Sequence, residues 1–252
     1  MRPQAWVSVP PILIGIDQGI GSPGSVACVI LQGTWDRAWE TAHIAPGLSA
    51  DMLQSMSPEQ IAHLIRARRT HKRFSGAAVS PEHLSWLVEL LRWAPNHRVT
   101  QPWRAYVLDQ PATHALGKWI ADHRDVVLRH SDKPEKDRAK IEKLLSYYFP
   151  SLGAIIQVTQ VRAPSEHQDR EDYAAVSAGV QNMLLGAESL GLGHFWSTAA
   201  TLCNPAVLQH LGIDPERERM VASLWLGGVV AQPPVPPRQD PDHYTTWISP
   251  SL

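Results

Sequence analysis

Regular patterns of apolar and polar residues begin only near residue 56 of this chain. Residues 57–60, Ser-Pro-Glu-Gln, form a capping box with Pro at the first helical position, and apolar residues then recur at helical spacing to about Arg68. A second helix signal, Ser-Pro-Glu at residues 80–82, is followed by another apolar stripe, which Pro95 ends. The pattern therefore predicts two amphipathic helices before the first strand.

The strongest helix signal lies between residues 172 and 190. Gly191 follows directly and is placed to end the helix in a left-handed conformation. One apolar face of this helix is expected to be buried, and it is formed by Tyr173, Val176, Val180, Met183, Leu184 and Ala187. Weaker helical patterns cover residues 111–130, the charged and exposed residues 133–148, and a short segment that begins at Asn204.

Four shorter runs are rich in β-branched and aromatic residues, which favour strands. Because these runs interleave irregularly with the helices, the pattern favours an α+β fold over a regular parallel α/β fold. The tail after Gln232 is rich in Pro and is not expected to form an interior strand. The predicted strands cover residues 103–108, 154–161, 194–197 and 221–226.

Residues 1–55 differ from the rest of the chain. Pro and Gly recur there without a period, and the apolar residues follow neither a helical nor a strand pattern. Two interpretations stay open. The segment is a poorly ordered N-terminal extension, or translation normally starts at Met52 or Met56 and residues 1–55 are an artefact of the chosen start site. In both cases the folded domain is expected to cover residues 56–252.

Composition narrows the class of protein. A formal net charge of −1, with 19% charged and 44% hydrophobic residues, is ordinary for a globular protein and unlike a dedicated nucleic-acid binder. No apolar run reaches the roughly 20 residues of a membrane-spanning helix. Pro10 and Pro11 break the N-terminal apolar stretch, which argues against a signal peptide. We therefore expect a cytoplasmic protein.

Several familiar chemistries lack their motifs in this sequence. There is no phosphate-binding loop of the Gly-Lys type and no Gly-x-Ser-x-Gly nucleophile elbow. Gly191 and Gly193 follow a predicted helix, whereas a dinucleotide-binding loop follows a strand. The histidines are scattered, and Cys28 and Cys203 have no partners at metal-ligand spacing. No metal site or disulfide framework is expected.

Two segments carry candidate chemistry. Arg68, Arg69 and Thr70 follow the first helix, where they either face solvent and complement the helix C-terminus or grip a phosphate or a polarised carbonyl. Residues 93–104, which we name the polar loop, join the second helix to the first strand. This loop combines amide, imidazole, Trp and Arg side chains, a set suited to a flat and polar ligand.

Together these segments resemble the flavin-dependent nitroreductase family, and most closely its small, minimal NAD(P)H-dependent members. The resemblance covers about residues 57–240. Each motif is weak alone, and their shared order and spacing make the set fairly specific. The motifs are Arg-Arg-Thr at 68–70 with Arg73 and Phe74, Ala-Pro-Asn-His at 94–97, Gln-Pro-Trp-Arg at 101–104, Gln-Asn at 181–182, Leu-Gly-Leu-Gly at 190–193 with Trp196, Leu-Trp-Leu-Gly at 224–227, and Arg238.

The resemblance implies a central, mostly antiparallel sheet flanked by helices, in an intertwined homodimer with one FMN at each subunit interface. It also implies that NADH or NADPH donates a hydride, which passes through flavin N5 to a nitroaromatic compound or a quinone in a ping-pong reaction. No side chain is nominated as catalytic. No metal, nucleic acid or membrane partner is implied.

Ten residues would contact the flavin according to the resemblance. Asn96 and His97 would reach the flavin held mainly by the partner subunit, and Gln101 would either bond the ring edge or anchor the loop. Trp196 would line the flavin or pack in the core. Val99 stands where many relatives carry Asn, and Trp93 where some carry Arg. Arg68, Arg69 and Thr70 would hold the phosphate and the ribityl or pyrimidine edge, and Arg238 would pair with the phosphate. The ten residues are Arg68, Arg69, Thr70, Asn96, His97, Gln101, Trp196, Ser197, Thr198 and Arg238.

Two alternatives stay open beside this reading. A specialised flavoenzyme of the same fold (a dehydrogenase, a dehalogenase or a flavin-fragmenting enzyme) would use residues 122–148 as a lid or a specificity insert. A non-catalytic flavin-binding protein would hold the same cofactor without turnover. The choice between NADH and NADPH is also open, with Lys118, Arg124 and Lys133 as candidates for a 2′-phosphate site.

Overall fold

The computed structural model of the 252-residue chain describes residues 57–129 and 133–248. The expectations for residues 1–55, including the alternative starts at Met52 and Met56, therefore lie outside the described residues. Cys28 lies outside them as well. Within the described ranges no helix is long and apolar enough to cross a membrane.

Four strands form one sheet in the order β1-β2-β4-β3, and every pair of neighbours is antiparallel. All four strands were predicted, and the sequence pattern located both ends of β1 and β2. β3 starts two residues and β4 three residues earlier than predicted, and β4 also ends two residues later, because Gly or charged residues occupy most of these added positions. The strands are β1 Trp103–Leu108, β2 Ala154–Val161, β3 Leu192–Ser197 and β4 Glu218–Gly228.

Seven α-helices accompany the sheet within the described ranges. The first begins at the predicted capping box: Ser57 Oγ accepts from the backbone N–H of Gln60, and Gln60 Oε1 accepts from that of Ser57 at 2.8 Å. Helices beside a single antiparallel sheet confirm the predicted α+β fold. The helices are α1 Pro58–Ala67, α2 Pro81–Leu91, α3 Gln110–Asp122, α4 Arg124–Leu128, α5 Pro134–Lys143, α6 Glu166–Ser189 and α7 Pro205–His210.

Three helix boundaries differ from the sequence pattern. Helix α6 begins at Glu166, six residues before the predicted start, because its first turns are polar and carry no apolar stripe. The predicted helix at 111–130 is divided at His123, whose ψ of 26° departs from helical geometry. The charged helix at 133–148 ends as a π-helical turn at Leu144–Tyr148, and Ile141 and Leu144 bury one side of it.

The sheet is covered on both faces, since successive residues of β2 enter different apolar clusters. Ile156 and Val158 pack with α2 and α6, whereas Ile155 packs with residues of α3, α4 and α5. The predicted stripe of α6 is buried in the first cluster except for Tyr173, which is 38% exposed. Helices α2 and α6 approach so closely that a Cβ atom at Gly179 would lie 2.6 Å from the carbonyl oxygen of Leu91.

Candidate functional site

A cavity of about 530 Å³ lies where the segment after α1 faces the C-terminal tail. We name it the cationic cavity, because five of its lining residues are Lys or Arg and none is acidic. Four of the ten predicted site residues, Arg68, Arg69, Thr70 and Arg238, line it together. Its complete lining is Arg68, Arg69, Thr70, Lys72, Arg73, Ala231, Gln232, Pro233, Pro234, Pro236 and Arg238.

The segment that follows α1 is fastened to the sheet by its backbone. The N–H of His71 donates to the carbonyl of His194 in β3 at 2.9 Å, and the N–H of Ser75 donates to that of Gly228 at 3.0 Å. Between them, Phe74 forms a bridge to Val229 and buries its ring in the core. These anchors hold the cationic side chains at a defined place beside the sheet.

The positive charge of the cationic cavity is not neutralised within the described chain. None of its five cationic side chains has a carboxylate within 4.0 Å among the described residues. Arg69 Nη1 donates to the backbone carbonyl of Arg68 at 2.9 Å, and Arg238 donates to that of Pro237 at 3.3 Å. Guanidinium groups with spare donors and no counter-charge are suited to a phosphate.

A buried imidazole pair lies beneath this segment. His71 and His194 are 2% and 0% exposed, with ring centroids 5.3 Å apart. His194 Nδ1 faces the carbonyl of Leu192 at 3.0 Å, which leaves His194 Nε2 without a hydrogen-bond partner among the described residues and 3.7 Å from Glu188 Oε2. Burial lowers the pKa of His194. The lowered pKa favours the neutral form of the His194 ring.

Glu188 connects this pair to the cavity. Its Oε2 accepts from the backbone N–H of Arg69 at 3.4 Å, so the carboxylate orients the cationic segment without pairing with its guanidinium groups. Sequence reasoning missed His71, Glu188 and His194, since scattered histidines carry no spacing signal. It also assigned no role to Lys72, although Lys72 belongs to a visible run of charge at residues 68–73.

The polar loop lies apart from the cationic cavity of its own chain, because none of its residues lines that cavity. Its backbone is unusual: Arg98, Val99 and Gln101 have φ values of 58°, 52° and 48°. A β-branched residue rarely adopts this left-handed conformation, and Val99 is 70% exposed. Strain of this kind persists where the surroundings hold it, and it concentrates at functional sites.

Side chains within the loop hold this backbone. Asn96 Oδ1 accepts from the N–H of Gln101 at 2.7 Å, and Asn96 Nδ2 donates to Thr100 Oγ1 at 3.0 Å. The Thr100 hydroxyl donates to the buried carboxylate of Asp172 in α6 at 2.6 Å. His97 is exposed, and among the described residues its one hydrogen bond is accepted from Arg98 Nε at 3.2 Å. The amide of Asn96 thus shapes the loop, whereas His97 faces outward.

The last three predicted site residues lie at the end of β3. The indole N–H of Trp196 donates to the carbonyl of Val221 at 3.1 Å, and the ring packs against the core of α2 and α6. Ser197 is buried and accepts from the N–H of Ala199 at 3.1 Å. Thr198 is exposed. Trp196 packs against the core in this chain, and none of the three residues lines the cationic cavity.

A second cavity of about 230 Å³ lies between α4, α5 and the start of α7. Cys203 lines it, and burial raises the pKa of that thiol, which favours the unreactive protonated form. The segment at residues 122–148, considered as a lid or specificity insert, contributes Val127, Leu128, Asp137 and Ile141 to the lining. The described ranges contain no cluster of His, Cys, Asp and Glu that could hold a metal ion.

Known proteins match the sequence and the fold of this chain. The model of the nitroreductase family matches residues 65–228. YfhC of Bacillus subtilis, named provisionally as an NAD(P)H nitroreductase, is 28% identical over 165 residues, which are 65% of this chain and 81% of YfhC. Two crystal structures are also similar.

A nitroreductase-like family protein from Bacillus cereus has a TM-score of 0.65 and 30% identity, covering 77% of this chain and 98% of its own. A protein from Desulfovibrio desulfuricans, described provisionally as a nitroreductase and solved in complex with FMN, has a TM-score of 0.56 and 25% identity. It covers 77% of this chain and 99% of its own.

Proposed function

The chain belongs to the nitroreductase family, and from its cationic cavity we propose that it is an FMN-dependent oxidoreductase that uses NADH or NADPH to reduce nitroaromatic compounds or quinones. The observation that supports this proposal most directly is the cationic cavity, whose lining contains five Lys or Arg residues and no acidic residue. The FMN complex of the similar protein from Desulfovibrio desulfuricans and the NAD(P)H nitroreductase name of YfhC support this assignment.

The residues of the cationic cavity fit the phosphate of FMN. A phosphate monoester carries a charge of about −1.5 to −2 at neutral pH and several strong acceptor oxygens. Arg68 and Arg69 are half-buried and offer guanidinium donors, Thr70 offers a hydroxyl, and Arg238 faces them from the tail. These four residues would hold the phosphate and the chain next to it, as the resemblance implies.

The polar loop would complete the site of a second copy of the chain. Asn96, His97 and Gln101 lie outside the cationic cavity of their own chain, so they would act on the partner's flavin. Exposed apolar side chains, which a subunit interface would bury, support a homodimer. The largest among them include Trp93 at 64% exposure, Trp247 at 86% and Ile248 at 93%.

When bound, FMN supplies the two-electron chemistry, since it takes a hydride from the pyridine nucleotide and gives it to the acceptor. The chain's own residues bind the phosphate, position the loop and shape the space in which donor and acceptor alternate. We assign no residue to proton transfer. Alternating use of one face predicts a ping-pong reaction, and we place it in the cytoplasm, where both nucleotides are regenerated.

An absorbance spectrum of the purified full-length protein tests this function. We expect a yellow protein that bleaches when NADH or NADPH is added without oxygen and recovers its colour with a quinone. A protein that stays colourless after addition of FMN would overturn the assignment. A yellow protein that neither nucleotide bleaches would instead indicate a non-catalytic flavin-binding protein, and intersecting lines in steady-state kinetics would argue against the ping-pong reaction.

A further inference from the structure

The cationic cavity holds more positive charge than one phosphate requires. Resting on the proposed function, we propose that Lys72 and Arg73 bind the 2′-phosphate of NADPH, so that the enzyme prefers NADPH to NADH. This inference names the electron donor, which the sequence left open. Three observations support it: the different burial of the five cations, the anchoring of residues 68–73 to the sheet, and the Pro residues of the tail that line the same cavity.

The five cations divide into an inner and an outer group. Arg68 and Arg69 are half-buried, whereas Lys72, Arg73 and Arg238 are exposed. The inner pair, with a combined charge of +2, matches the roughly −2 of the FMN phosphate. Because Arg238 is assigned to the same phosphate, Lys72 and Arg73 are left with a charge of about +2 and no acidic residue in the cavity lining. A cavity of about 530 Å³ also leaves space beyond the first phosphate.

The outer cations have a defined position because the residues on either side of them are buried. His71 is 2% exposed and Phe74 is 5% exposed, and both are fastened to neighbouring strands by their backbones. Lys72 and Arg73 lie between these two anchors and line the cavity. Their charges are therefore held at the cavity mouth, where a second phosphate can reach both.

The opposite wall suits an adenosine carrying that phosphate. It contains Pro233, Pro234 and Pro236, whose rings are apolar and whose backbone nitrogens carry no hydrogen. An adenine ring can pack on such rings, while the ribose 2′-phosphate meets the cations. NADH has a hydroxyl at this position and gains no ion pair there. A planar guanidinium and an ammonium on one phosphate contribute roughly tenfold each to discrimination.

The candidates considered from the sequence are less suited to the 2′-phosphate than Lys72 and Arg73. They are Lys118, Arg124 and Lys133. Arg124 is paired with Glu142 at 2.9 Å, and Lys118 is exposed on α3. Neither these two nor Lys133 lines the cationic cavity. The tertiary structure thus shifts the 2′-phosphate site from the middle of the chain to the segment after α1.

The test compares the FMN-loaded enzyme with a Lys72→Gln/Arg73→Gln double variant. A Lys118→Gln/Arg138→Gln variant is the matched control, because it removes the same charge from two exposed positions outside the cavity. For each protein we would measure the ratio of kcat/KM for NADPH to that for NADH. Calorimetric titration with adenosine 2′,5′-bisphosphate and with adenosine 5′-monophosphate gives a readout independent of turnover.

We expect the wild type and the control to favour NADPH about tenfold or more and to bind the bisphosphate more tightly than the monophosphate. The cavity variant should lose both preferences and keep its FMN absorbance. A wild type without either preference, or a cavity variant that retains them, would overturn the inference. Loss of FMN from the cavity variant would also overturn it, since Lys72 and Arg73 would then serve the flavin. A wild type that binds no FMN would instead defeat the proposed function itself.

Discussion

The cationic cavity and the polar loop present polar side chains by opposite means. In the cavity segment, buried His71 and Phe74 anchor a backbone without left-handed residues, and the cations beside them have no carboxylate partners in the described chain. In the polar loop, the side chains of Asn96 and Thr100 hold a backbone with three left-handed residues. The cavity side chains are free for a ligand, whereas part of the loop's polar set is used in shaping the loop.

This difference indicates which of the two regions could bind a ligand within a single chain. Under the proposed function, the five cations of the cationic cavity would bind a phosphate within one chain. The polar loop offers only the outward-facing His97 beside exposed Val99, and under the proposed homodimer it would be one part of a shared site. A second copy of the chain would supply what the loop lacks. The predictions below test this division of roles.

The largest effect is expected from the inner cations. Replacing both by Arg68→Gln/Arg69→Gln should weaken FMN binding about 100-fold, since each charge-assisted contact to the phosphate contributes roughly tenfold. Quenching of FMN fluorescence during titration of the apoprotein measures the Kd. The Lys118→Gln/Arg138→Gln variant is the charge-matched control. Equal Kd values for the two variants would show that the cationic cavity is not the phosphate site.

Asn96→Ala should have the next largest effect, through loop shape. The substitution removes the bonds to the Gln101 N–H and to Thr100, and because both are exposed the loss should be about 1 kcal/mol of unfolding free energy or slightly more. Urea denaturation measures this cost. His97→Ala removes only a contact with exposed Arg98, so its main effect should be weaker FMN retention. If His97→Ala lowered the unfolding free energy as much as Asn96→Ala, the two residues would not have the separate roles of holding the loop backbone and binding FMN.

The imidazole pair predicts a pH dependence under the cationic cavity. Burial and the charges of His71 and Arg68 lower the pKa of His194, while its bond to Leu192 and the charge of Glu188 oppose them. The native state therefore binds this proton less readily than the unfolded state, whose pKa is about 6.5. Stability from this group is present above about pH 6.5 and falls with decreasing pH, by at most about 1.4 kcal/mol per pH unit, until the folded pKa is reached.

Unfolding free energies at pH 7.5 and 5.5 test this linkage. His194→Gln should show a smaller loss of stability between the two pH values than the wild type. His210→Gln is a useful comparison, because burial and His123 also lower the pKa of His210, at a site away from the cationic cavity. An unchanged pH dependence in His194→Gln would contradict the assignment of a neutral buried ring.

The smallest effect concerns backbone strain at Val99. Asn tolerates a positive φ better than a β-branched residue, so Val99→Asn should stabilise the protein by about 1 kcal/mol. Val107→Asn in β1 is the matched control, since that Val is 45% exposed in a strand and its replacement should destabilise. Thermal unfolding midpoints measure both. A lower midpoint for Val99→Asn would show that the loop backbone is not strained there.

The sequence predicted those elements whose signals are local. The capping box at Ser57 and Gln60 and both ends of β1 and β2 were located from residue patterns alone. Gly191 adopts the left-handed φ of 68° that its position after a helix indicated. The polar start of α6 and the break at His123 were missed. Exposed turns and local kinks do not change the spacing of apolar residues, which was the signal used for the helices.

The sequence by itself determined which groups the protein carries: two adjacent Arg after a helix, a polar loop before a strand, and Arg238 in a Pro-rich tail. Only the tertiary structure decided that residues 231–238 close a cavity over residues 68–73, and that His71 is buried against His194, 123 positions away. The physical reason is that local propensity acts over a few residues. Contacts at such separations depend on strand order and register, which bring the segment after α1, β3 and the end of β4 to one place.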